Sequence, residues 1–132
     1  MPTVVLGYVA KPEGEAALAA SIAEAKLRRA DLVVVNSHRA RPEDTGAQDR
    51  LQSELDDVRV RVEEAGVNVD VRRPETGLEA SEDLLNVAEE VDADLVVIGL
   101  RRRTPVGKLI LGSNAQRVLL DAHCPVLAVK SD

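Results

Sequence analysis

Leu95-Val96-Val97-Ile98-Gly99-Leu100-Arg101-Arg102-Arg103-Thr104-Pro105-Val106-Gly107-Lys108-Leu109-Ile110-Leu111-Gly112-Ser113-Asn114 is the stretch on which the fold turns. It opens with four apolar residues, mostly β-branched and without alternation, the pattern of a strand buried on both faces. A glycine follows, then a basic segment, then Gly112-Ser113-Asn114 at the start of a helix running to about Ala122. Strand, glycine turn and helix N-terminus in this order belong to an α/β unit, because parallel strands need helical crossovers. Glycine admits close backbone approach. The unpaired N–H groups and dipole of a helix start favour an anion there.

The same signals recur upstream. Thr3 to Val9 is a second continuous apolar run, and Leu18, Ile22 and Ala25 repeat at helical spacing after Pro12, predicting a helix over Glu13 to Arg29. Leu32 to Val35 reads as strand two, and the polar stretch Arg39 to Gln48 as a long loop. Leu51, Leu55, Val58 and Val62 predict an amphipathic helix stopped by Gly66. Val67, Val69 and Val71 alternate with polar residues, as in a strand with one face in water. Ser81 reads as the cap of a third helix with Leu84, Ala88 and Val91 on its inner face, and Val126 to Val129 closes the chain as strand five.

These elements specify an α/β fold with an open five-stranded, mainly parallel sheet of order 3-2-1-4-5 and helices on both faces. The three unbroken apolar runs take the centre, and the winding reverses between strands one and four. Ligands in such sheets bind beyond the carboxyl ends of the strands at that reversal, here the exits of strand one at Val9-Ala10-Lys11 and of strand four at Gly99. Strand five is left as an apolar edge with neither charge nor proline between Val126 and Val129, which predicts pairing with a second copy.

Composition narrows the function. At 132 residues, 45% apolar and 30% charged, the chain is expected to fold as one soluble domain over its whole length, and no apolar run is long enough for a membrane span. The N-terminus has no basic segment or cleavage site of a secretion signal, so a cytoplasmic location is expected. Cys124 alone excludes an internal disulfide or multi-cysteine metal site. A net charge of −6 and a single aromatic, Tyr8, argue against nucleic acid. No acid lies between Asp94 and Asp121, whereas Arg101, Arg102, Arg103, Lys108 and Arg117 do, giving one basic segment on an acidic body.

The residues quoted at the outset also resemble the universal stress protein family, whose nucleotide-binding members carry G-x2-G-x9-G-[ST] after strand four. Gly99, Gly112 and Ser113 match that spacing. The resemblance extends from the proline after strand one to the closing Cys124-Pro125-Val126-Leu127-Ala128-Val129. It implies a Rossmann-like, adenine nucleotide alpha hydrolase-like fold, a homodimer formed through the last strand, and a nucleotide ligand, ATP or AMP, with magnesium as an optional companion. Taken with the strand exits and the basic segment, the candidate binding residues are Val9, Ala10, Ser37, Gly99, Arg101, Arg102, Gly112, Ser113 and Asn114.

Three departures fall on that site. Arg102 stands at the motif's second glycine, Val9 aligns with the family's aspartate, and Ala115 with a frequent hydroxyl. Arg102 has two physical outcomes: bidentate hydrogen bonding to phosphate, or filling the phosphate space. Other nucleotide motifs fail: Gly107-Lys108 lacks the earlier glycine and following hydroxyl of a P-loop, and Gly7 stands alone where a dinucleotide fingerprint needs three glycines. No general base is evident, so slow ATP hydrolysis ranks below two other readings. One is a nucleotide or phosphate-ligand sensor; the other is a dimeric interaction module whose basic loop contacts an acidic partner. Cys124 and Tyr8 read chiefly as core residues, with the Tyr8 hydroxyl a lesser candidate for the lost hydrogen bond.

Overall fold

Five strands pair in the order β3-β2-β1-β4-β5, and every pairing is parallel. The computed structural model describes residues 1–37, 45–101 and 111–131. Along the chain the elements are β1 (Thr3–Gly7), α1 (Pro12–Arg28), β2 (Asp31–Val35), α2 (Thr45–Glu64), β3 (Val69–Arg72), α3 (Ala80–Glu90), β4 (Leu95–Leu100), α4 (Ser113–Asp121) and β5 (Val126–Lys130). The α/β class and the strand order therefore stand as read from the sequence.

Alternation along the central strands divides the interior into two layers. Val4, Leu6, Leu32, Val34, Leu95 and Val97 face α1 and α2, where Leu18, Leu55, Val58 and Val62 meet them. Val5, Val33, Val35, Val96 and Ile98 face the other way, onto Leu84, Val87 and Ala88 of α3 and Val118 of α4. Both faces of β1, β2 and β4 are thus buried, which is why these strands are apolar without alternation. Only β3 and β5 are edges, and β5 keeps partial exposure over Val126 to Val129.

Element boundaries depart from the sequence reading at the turns. β1 stops at Gly7 although the apolar run continues to Val9, because the chain then turns, with the Lys11 N–H donating to the Val9 carbonyl at 2.9 Å. The last residues of the polar stretch, Thr45 to Gln48, belong to α2; the rest of that stretch lies outside the described residues. Ser81 does not cap α3, which starts at Ala80 behind Glu79, whereas α4 starts at Ser113 as read from the sequence. The predicted stop at Gly66 is real, since that residue has φ +83°, a left-handed conformation suited to glycine.

Candidate functional site

The ends of β1 and β4 lie side by side, and two helix starts crowd against them. α1 reaches the sheet through two glycines. A β-carbon on Gly14 would fall 1.6 Å from the Val9 carbonyl oxygen, and one on Gly99 would fall 2.2 Å from the Glu13 carbonyl oxygen. Neither contact tolerates a side chain, so these glycines let the first turn of α1 rest on the strand ends.

Beyond the strand ends lie two adjoining cavities. The first, about 150 Å³, sits toward α3 and α4 with apolar walls of Val35, Leu84, Ile98 and Val118 and polar edges at Ser37, Ser81 and Asn114. The second, about 380 Å³, is polar and is lined by Lys11, Glu13, Arg101, Gly112 and Ser113 among others. Val9, Gly99, Asn114 and Ala115 line both, so the apolar space leads into the polar one past Gly99.

Side-chain hydrogen bonds hold the rim. The Ser37 hydroxyl donates to Asp83 Oδ2 at 2.5 Å and the Thr76 hydroxyl to Asp83 Oδ1 at 2.6 Å, so one buried carboxylate ties the exit of β2 to the approach to α3. The Ser81 N–H donates to Asn114 Oδ1 at 3.3 Å, linking the starts of α3 and α4. Asn36 Nδ2 donates to the Tyr8 carbonyl at 2.9 Å, joining the exits of β2 and β1. These bonds leave the first turn of α4 facing the polar cavity, where its N–H groups and dipole suit an anion.

Of the residues singled out from the sequence, Val9, Gly99 and Asn114 line both cavities, Ser37 the apolar one, and Arg101, Gly112 and Ser113 the polar one. Ala10 lies apart, in a groove between α1 and α2. Arg102 is outside the described residues, as is most of the basic segment. Tyr8 contributes no hydroxyl to the cavities: its hydroxyl donates to Glu15 Oε1 at 2.8 Å on the α1 and α2 side. Cys124 packs against the layer beneath α3 and α4, and burial followed by Asp94 and Asp92 raises its thiol pKa, unlike an activated nucleophile.

The sequence reading did not single out Glu13, nor the placing of Ser81 and Leu84 at the cavities. Ser81 carries the signal of a cap, and Glu13 that of an ordinary acid in a first helical turn. Their convergence with Gly99 depends on how α1 and α3 pack.

Comparison with known proteins agrees with this architecture. Residues 1–130 match the universal stress protein family as a whole. A universal stress protein of Mycolicibacterium smegmatis is 45% identical over 127 residues, covering 96% of each chain. A universal stress protein structure from Archaeoglobus fulgidus superposes with a TM-score of 0.80 at 32% identity, over 98% of both chains. Another from the same organism, solved in complex with dAMP, superposes at 0.73 with 28% identity, again over 98% of both. With its sheet order, its glycine-bounded strand ends and this similarity along nearly its full length, the chain belongs to the universal stress protein family.

Proposed function

We propose that this chain binds an adenine nucleotide, ATP or AMP, across the two cavities and acts as a cytoplasmic, nucleotide-responsive homodimer rather than as an efficient enzyme. The observation that carries the reading is the continuity of an apolar slot with a polar cleft at a helix N-terminus, past a glycine that no side chain can replace. A planar base suits walls of Val35, Leu84 and Ile98, whereas a phosphate suits the N-terminus of α4 with Lys11 and Arg101 at the cleft. A structural relative in complex with dAMP supports the same ligand class.

Calorimetric titration of nucleotide-stripped protein with ATP and AMP, with and without magnesium, tests the proposal. Saturable binding is expected, and Gly112→Val is expected to abolish it while leaving the fold intact. Gly112 has φ −69° and ψ 163°, a conformation any residue adopts, so valine crowds the ligand rather than the backbone. No heat at millimolar nucleotide, with no ligand carried over from expression, overturns the reading in favour of an interaction module.

A further inference from the structure

Glu13 is the second residue of α1, follows Pro12 and is only 8% exposed. Acidic residues of such low exposure are ordinarily paired, whereas the Glu13 carboxylate keeps some access to water from the polar cavity that the residue lines. Among the described residues the Glu13 side chain has neither a hydrogen bond nor an ion pair. Its neighbour Glu15 shows the contrast, accepting from both Tyr8 and Arg61. A favourable dipole interaction with α1 accounts for an acid in the first turn, and as a cleft-lining acid with no side-chain partner among the described residues Glu13 is open to a donor from a ligand.

Its place is set by the contact with β4, where the Glu13 β-carbon lies 3.1 Å from the position a β-carbon on Gly99 would take. Gly99 borders both cavities, and Glu13 is the single carboxylate among the described residues lining either. Glu13 thus packs on Gly99, which borders the passage, through its carbonyl group and β-carbon, and it lines the cleft at α4.

Resting on the nucleotide reading above, we propose that Glu13 is the acceptor for the ribose hydroxyls of the bound nucleotide. A carboxylate accepts hydrogen bonds and repels phosphate. In a nucleotide the uncharged donors between base and phosphate are the sugar hydroxyls, and that is the position Glu13 borders. Val9, at the exit of β1, offers no side-chain acceptor there. Glu13 is thus a specificity-determining residue that selects the ribose diol, and its missing partner is supplied by the ligand.

The test compares ATP with 2′,3′-dideoxy-ATP by calorimetry. Wild-type protein is expected to bind ATP about tenfold or more tightly, as suits a hydrogen bond to a charged acceptor. Glu13→Ala is expected to erase the preference by weakening ATP binding alone, leaving dideoxy-ATP unchanged. Equal affinities in the wild type overturn the proposal without recourse to any variant, as does a preference that survives in Glu13→Ala. A variant that weakens both ligands equally reports only a structural role and also overturns it. Failure of the wild type to bind either nucleotide instead removes the nucleotide reading itself.

Discussion

Tyr8 is the chain's one aromatic, and it shows how a residue's neighbours decide its chemistry. Its ring belongs to the layer under α1 and α2, and its hydroxyl donates to Glu15 Oε1, while Arg61 Nη1 donates to Glu15 Oε2 at 2.7 Å. Burial, then the bond to Glu15, raises the phenol above its ordinary value of 10.0. Arg61 chiefly holds the Glu15 carboxyl below its ordinary value. The neutral phenol thus contributes stability below pH 10.0 that is lost as pH rises from there through the raised value. The Glu15 contribution has the opposite sign, present above its ordinary value and lost as pH falls through the depressed one, and it is small because the pair is about half exposed. With no other tyrosine and no tryptophan, tyrosinate absorbance reports this residue alone. Titration of the folded protein is expected to show one step above the ordinary value, returning to it in denaturant; an ordinary value in the folded state contradicts the structure. Tyr8→Phe should cost about 1 kcal/mol by losing one hydrogen bond. Burial of the ring was legible in the apolar run around it, but the role of its hydroxyl was not, since Arg61 joins the network from 46 residues past Glu15.

Helix α1 shows the same divergence at the level of an element. Its periodic Leu18, Ile22 and Ala25 foretold a helix, and its start after Lys11 follows from a proline suited to the first turn. Helix propensity alone says that Gly14→Ala should stabilise it by about 1 kcal/mol. The structure reverses that sign. A β-carbon at position 14 would meet the Val9 carbonyl oxygen at 1.6 Å and its carbon at 2.7 Å, both backbone atoms that no rotamer change can move. Gly14→Ala is therefore expected to lower stability by about 1–3 kcal/mol in denaturant unfolding, the range of overpacking. It should also weaken nucleotide binding by shifting Glu13. A more stable variant refutes the close docking of α1 on the strand ends. That docking was unreadable beforehand because a glycine in a helix signals only lost propensity until its neighbour in space is known.

For the whole molecule the exposed edge of β5 bears on assembly. The Val96 N–H donates to Pro125 and the Ser131 N–H to Leu100, so in a parallel ladder Leu127 and Val129 also bond to β4, while Ala128 turns its N–H outward. Ala128→Pro removes an outward donor without breaking the ladder, a change edge strands tolerate. If the proposed homodimer pairs through this strand, sedimentation should show a wild-type dimer and an Ala128→Pro monomer; an unchanged dimer sinks that arrangement. Sequence by itself determined the helices, the buried central strands, their order and the glycines at the strand ends, because periodicity records which residues leave water along each segment. Only the tertiary structure decided that Ala10 falls outside the crevice, that Ser37 is tied to Asp83, and that Glu13 packs on Gly99 and lines the cleft with no side-chain partner among the described residues. Those facts arise where segments far apart in the chain are pressed together, and no local pattern of polarity encodes the distance between them.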